Sequence, residues 1–214
     1  MALPHAHVVR NPFLVPWARR HDWPSGDVTR LACIGRLWVV EKGQDLLIRV
    51  LARDKWRQRR LSVTIVGVGT HRAALEAMVA YHHLDCVTFA GFVDDVAGIW
   101  NDHHGLILPS RCEGLPLVLV EAMLSGRVPI ATDVAGIPEV VEDGDTGFLA
   151  AAPTEDALDA ALERAWQRRD EWQAIGARAA DRIRELVPED PARELAFMLL
   201  GEASRTKAGT AAVV

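Results

Sequence analysis

The chain has 214 residues, 50% hydrophobic and 25% charged. That length holds about one to one-and-a-half domains with a sizeable core, and the composition excludes a disordered chain. Its 24 basic and 29 acidic residues leave a formal charge of −5, a poor match for broad nucleic-acid binding. Cys33, Cys86 and Cys112 are too few and too scattered for a disulfide framework or a CxxC zinc site. The longest apolar run, Leu115 to Leu124, contains Pro116 and Glu121 and is too short to cross a bilayer. The start shows no charged segment leading into an apolar one. These features predict a reduced, cytoplasmic protein.

Residues 1–30 carry four prolines, three histidines and two tryptophans. Asn11-Pro12, Val15-Pro16 and Trp23-Pro24 disfavour helix, so this segment is expected to be an extended arm. Regular order is expected from Leu31. Leu31–Ile34 reads as a strand, followed by a helix over Gln44–Trp56. Ser62–Val66 is the next strand, followed by a helix from His71 to His82. Cys86–Phe89 precedes a short helix at Val96–Asn101. Leu106–Leu108 precedes an apolar helix from Pro116 to Ser125. Val128–Ala131 precedes a short helix at Pro138–Glu142, and Gly147–Leu149 closes the series. Thr154 is placed to cap a helix that opens with Glu155 and Asp156, and helical patterns continue to about Glu202. Strands without polar alternation, each followed by a helix, predict one doubly wound α/β domain with a parallel sheet. The expected division is an arm over 1–30, a Rossmann-like domain over 31–203 with extra C-terminal helices, and a flexible tail over 204–214.

In such a sheet, ligands bind beyond the carboxyl ends of the strands, near the point where strand order reverses. Here those ends carry Gly35-Arg36, Gly67-Val68-Gly69, Ser110-Arg111-Cys112-Glu113-Gly114 and Asp133-Val134-Ala135-Gly136. Gly67-Val68-Gly69 lacks the third glycine of a dinucleotide fingerprint, because Arg72 stands there. Glu113 and Glu121 are separated by seven residues. Ser110 and Glu113 have capping-box spacing, but that would place Pro116 inside the helix, where it removes a backbone bond. Starting the helix at Pro116 leaves Glu113 in a loop beside free backbone N–H groups, an anion-binding geometry. Glu121 falls in a helix apolar on every face, so it is expected to be buried. It serves either as an acceptor for ligand hydroxyls or as a structural carboxylate holding backbone amides. Arg36 and Lys42 supply two cations at one strand-to-helix connection, suited to a diphosphate.

Together these residues resemble the C-terminal, donor-binding domain of retaining GT-B glycosyltransferases of the family-4 type (group 1). The matching segments are Gly35-Arg36-Leu37 with Glu41-Lys42-Gly43, Ile65–Gly69, Phe89–Asp95, Pro109–Pro116, Glu121–Ala131 and Ala135–Val141. They cover about residues 9 to 200 in the expected order. The resemblance implies a nucleotide-sugar donor, UDP- or GDP-linked, and transfer with retention without a metal or other cofactor. It implies that Arg36 and Lys42 bind the diphosphate, that Glu113 meets the sugar hydroxyls and that Glu121 holds the ribose. Gly35, Gly67 and Gly114 through Leu115, Pro116 and Leu117 would approach the donor, and the backbone near Val93 would touch the base. Family enzymes have a second, N-terminal domain. The expected partner is therefore a separate chain carrying such a domain, or a second copy of this chain. The alternative is a non-catalytic subunit that binds nucleotide-sugar. Phe13, Trp17, Trp23 and the terminal helices would then offer apolar surface to a partner.

Three other readings are weaker. The histidine pairs His5-x-His7, His82-His83 and His103-His104 lack metal-site spacing. Cys112 has no assignable base. The basic run Arg57–Arg60 admits contact with anionic lipid, although a solvated helix C-terminus accounts for it.

Overall fold

A computed structural model describes residues 9–18 and 21–210. Six parallel strands form one sheet in the order β3-β2-β1-β4-β5-β6. They are β1 (Thr29–Ile34), β2 (Leu61–Val66), β3 (Val87–Gly91), β4 (Gly105–Leu108), β5 (Val128–Thr132) and β6 (Phe148–Ala150). The helices between them are α1 (Val39–Lys42), α2 (Gln44–Leu51), α3 (Asp54–Arg57), α4 (Arg72–Tyr81), α5 (Val96–Asp102), α6 (Leu117–Leu124) and α7 (Ile137–Val140). Helices α8 (Glu155–Gln167), α9 (Trp172–Leu186) and α10 (Pro191–Thr210) follow.

Strand parity divides the core. Leu31, Cys33, Val63, Ile65, Ile107 and Ile130 face one side with residues of α2 and α8. Ala32, Leu106, Leu108 and Ala131 face the other with residues of α6 and α9. A parallel strand covered on both faces has no polar side, so β4 and β5 are buried at every position. At the sheet edge β3 alternates between buried and more accessible residues.

Several boundaries differ from the sequence-based expectation. β1 takes in Thr29 and Arg30, because their pairing with Leu61 and Ser62 extends the parallel ladder. The single helix expected over Gln44–Trp56 is two, with Arg53 extended between them. Pro116 is the N-cap of α6 rather than its first helical residue: its φ of −64° suits a helix, but its ψ of 126° is extended. Thr154 does cap α8, its hydroxyl accepting the Ala157 amide at 3.3 Å. Helix α10 runs through Ala203 to Thr210, where a tail is expected; no proline interrupts it. The basic run is occupied within the chain. Arg59 pairs with Glu163, Arg60 pairs with Asp27, and Arg57 donates to the carbonyls of Ala52 and His82.

The arm lies on its own domain. Val15 is buried, Phe13 stacks on Trp17 with ring centres 5.8 Å apart, and both rings pack on the α6–α9 side of the core. Trp23 packs on the other side. These three rings therefore cover this domain's own core, correcting the expectation that they face a partner.

Candidate functional site

Strand order reverses between β1 and β4, and the loops leaving these two strands meet. Gly43, at φ +64°, lets the corner between α1 and α2 press on the chain after β4; a Cβ there would lie 1.9 Å from the Pro109 carbonyl oxygen. The amides of Arg111 and Cys112 donate to the Glu41 carbonyl at 2.6 and 3.2 Å. The Arg111 guanidinium forks onto the buried Asp45 carboxylate at 2.8 and 2.9 Å. Burial would raise the Asp45 carboxyl, but Arg111 and Arg49 reverse the balance and hold it below its ordinary value. The connection is therefore fixed by two backbone bonds and a charged fork.

That docking joins Lys42 to Glu113. The ammonium donates to both carboxylate oxygens at 2.7 and 2.8 Å, and Ser110 Oγ donates to Oε1 at 2.7 Å. Glu113 accordingly makes no helix cap; it holds the lysine at the mouth of α6. The first amide to bond within α6 is that of Leu119. The amides of Leu117 and Val118 precede it, at the positive end of the helix dipole. Gly114 is fastened from the β5 side, its carbonyl accepting the Gly136 amide at 3.0 Å.

Beside this cluster lies a cavity of about 610 Å³ at the carboxyl ends of β1, β2 and β3. Gly35, Arg36, Gly67 and Val93 line it, together with Trp38, Val68 and Phe92. Gly67 brings its floor close, since a Cβ there would lie 2.1 Å from the Gly35 carbonyl oxygen. Phe92 and Val68 are exposed, so the cavity has two apolar walls open to solvent. Trp38 packs on His71 with ring centres 4.8 Å apart.

The structure thus gathers the sequence-predicted residues into adjoining groups. Gly35, Arg36, Gly67 and Val93 line the cavity. Lys42, Glu113 and Gly114 lie on the meeting loops, next to Pro116 and Leu117 at the start of α6. Lys42 adjoins the first group, as a Cβ on Gly35 would lie 3.8 Å from its Cδ. Arg36 projects outward with its side chain 68% exposed, 3.8 Å from Glu41. Leu115 and Leu117 also line a smaller cleft with Val9, Arg10 and Asn11 of the arm.

Glu121 is 5% exposed, and its Oε1 accepts the Leu14 amide of the arm at 3.1 Å. The carboxylate holding a backbone amide is the structural role that the sequence left open. Burial raises its pKa, with the Leu14 N–H opposing. Sequence reasoning missed the Asp45–Arg111 fork and the aromatic wall at Trp38 and Phe92. The one signal for Asp45 was an acid set directly before the apolar run Leu46-Leu47-Ile48.

No group of described residues is arranged to hold a metal ion. His103 bonds the Ile99 carbonyl and Thr64 Oγ1, and His104 Nδ1 accepts the Arg30 amide; His5 and His7 lie outside the described residues. All three cysteines are free thiols. No described helix is long and apolar enough to cross a membrane.

A sheet ordered 3-2-1-4-5-6 with a crevice at its switch point defines a Rossmann-like domain. Residues 28–168 match the family of glycosyl transferases group 1, and the chain belongs to that family. Among relatives, it is 34% identical over 119 residues to alpha-D-kanosaminyltransferase of Streptomyces kanamyceticus, spanning 54% of this chain and 31% of that protein. It is 32% identical over 176 residues to the GDP-mannose-dependent alpha-(1-6)-phosphatidylinositol monomannoside mannosyltransferase of Mycobacterium tuberculosis H37Rv, spanning 74% of this chain and 43% of that protein. Two solved structures share the fold. A mutant of S. aureus TarM in complex with Fondaparinux, alpha-GlcNAc-glycerol and UDP superposes with TM-score 0.76 at 20% identity, covering 93% of this chain and 40% of that one. Anabaena Alr3699/HepE in complex with UDP gives 0.72 at 22%, covering 82% and 49%. The chain thus spans less than half the length of each of these four proteins.

Proposed function

We propose that the chain is the donor-binding half of a retaining glycosyltransferase that uses a UDP- or GDP-sugar without a metal. The observation that carries this reading is the adjacency of an apolar-walled cavity to a fixed cationic and amide-rich crevice. A nucleoside needs an apolar slot with a few polar edges, and a diphosphate needs cations and free N–H groups. The base and ribose enter between Val68 and Phe92, with the backbone at Val93 meeting the base edge. The diphosphate lies across the mouth, met by Arg36, Lys42 and the Gly114–Leu117 amides. Charge builds on this group as the glycosidic bond breaks, so cations fixed in advance lower the barrier. Glu113 keeps Lys42 aimed and offers its carboxylate to sugar hydroxyls. With Oε1 of Glu121 occupied by the arm, Oε2 is the oxygen left for the ribose diol. The acceptor and the remaining walls of the active site come from an N-terminal-type domain.

A titration of UDP, GDP, ADP and TDP, followed by an assay of nucleotide release from the sugar form of the tightest binder, tests this reading. Saturable binding with slow release supports a donor-binding catalytic half. Binding with no release supports a binding subunit that works through a partner. No binding of any of the four removes both.

A further inference from the structure

A second cavity lies at the opposite edge of the sheet, near the amino end of β5. It encloses about 170 Å³ and is lined by His21 and Trp23 of the arm, Ser125 and Arg127, and Gln173 of α9. That is more than one water molecule needs, and room enough for a small polyatomic ion.

Two polar groups here are incompletely used. Ser125, the C-cap residue of α6, is 2% exposed, and among the described residues its Oγ has no hydrogen-bond partner. Arg127 is 1% exposed. Its Nε donates to the Trp100 carbonyl at 2.8 Å and its Nη2 to the Asp22 carbonyl at 2.6 Å, while its guanidinium lies 5.4 Å from the Trp23 ring centre. Nη1 takes no part in either of these bonds, and among the described residues no carboxylate lies within ion-pair distance of the guanidinium. Burial lowers the Arg127 pKa to about 10, with the Asp22 charge opposing. A buried cation is ordinarily paired, because taking a charge out of water is costly.

Helix α6 ends here, and its last carbonyls would repel an anion if they were open. They are taken: Ala122 O by the Arg127 amide, Met123 O by that of Gly126, and Leu124 O by Arg184 Nη2. The cavity therefore presents a guanidinium N–H and a hydroxyl, with an imidazole and an amide on its wall.

We propose that this cavity is a binding site for a small oxyanion of phosphate or carboxylate type, held by Arg127 and Ser125 between the arm and the end of α6. The site is separate from the strand-carboxyl crevice and does not depend on the donor reading.

Inorganic phosphate is titrated into the full chain at constant ionic strength, with chloride as the reference ion and acetate as the carboxylate probe. Melting temperature and heat of binding are followed. The proposal predicts a saturable response to phosphate or acetate that chloride lacks. That response persists in Arg36→Ala, which disables the other anion site. Ser125→Ala loses a hydrogen bond to a charged group and weakens the anion about tenfold, without disturbing the Arg127 clamp on the arm. Arg127→Lys, which keeps the charge but not the fork, also weakens it. Equal responses to all three anions overturn the proposal, as does an affinity unchanged in Ser125→Ala or a response that disappears in Arg36→Ala.

Discussion

Among the described residues, Glu121, buried in α6, has one backbone amide as donor and no cation in contact, so its ionised form is costly to keep folded. Its folded pKa is raised above the ordinary 4.5. The stability it permits is therefore complete below 4.5 and is lost as pH rises through the folded value. Glu121→Gln keeps the shape and removes the charge. The variant is expected to melt no lower than the parent at pH 7, and up to about 3 °C higher, with the gain vanishing in acid. It is also expected to bind UDP or GDP at least tenfold more weakly, while Cys112→Ala binds as the parent does. A Gln variant that is less stable at pH 7 and binds normally would make Glu121 purely a fastener for the arm. The residue scale is also where the sequence was least complete. That Glu121 is buried followed from the apolar residues around it in α6. That its partner is Leu14, 107 residues away, could not follow, since no local pattern encodes where an arm without periodicity lies down.

At the scale of elements, the strands and their following helices were legible because a sheet buried on both faces imposes unbroken apolar runs. Residues that close one loop on another left weaker traces. Gly43 stands directly before the helix expected from Gln44, but its use as a seat for the Pro109 carbonyl depends on β4 lying beside β1. The same holds for Asp45 and Arg111, 66 residues apart. Gly43→Ala forces a left-handed residue to carry a Cβ and pushes apart the two loops that hold Lys42 against Glu113. A loss of at least about 2 kcal/mol is expected, read as a fall in melting temperature of about 4–8 °C, with weaker nucleotide binding. Unchanged melting would show that these loops do not press on one another.

Across the whole molecule, acid should unfold the chain in two stages. Burial holds His103 and His104 below 6.5. Their contribution to stability is complete above that value and is lost as pH falls through the lowered ones. Glu163, bonded by Arg59 and then Lys55, has its pKa lowered from 4.5 to about 2. Its contribution is complete above 4.5 and is lost as pH falls toward 2. In Glu121→Gln, which lacks that residue's opposing gain in acid, melting temperature should be level near pH 7, decline below 6.5 and fall again below 4.5. The last fall should be smaller in Glu163→Gln. A melting temperature of Glu121→Gln that climbs on acidification would contradict these assignments.

On the proposed function, the crevice between β1 and β4, with its neighbouring cavity, takes a nucleoside diphosphate. Arg36 is the residue to change, because its side chain is 68% exposed and its one ion pair among the described residues is with Glu41 at 3.8 Å, so removing it leaves the fold intact. Calorimetric titration of UDP and GDP into the parent and Arg36→Ala, with both melting curves recorded, is the measurement. The prediction is saturable binding by the parent, at least tenfold weaker binding by the variant, and superimposable melting. Equal affinity in the two chains, or no binding by the parent, would contradict it.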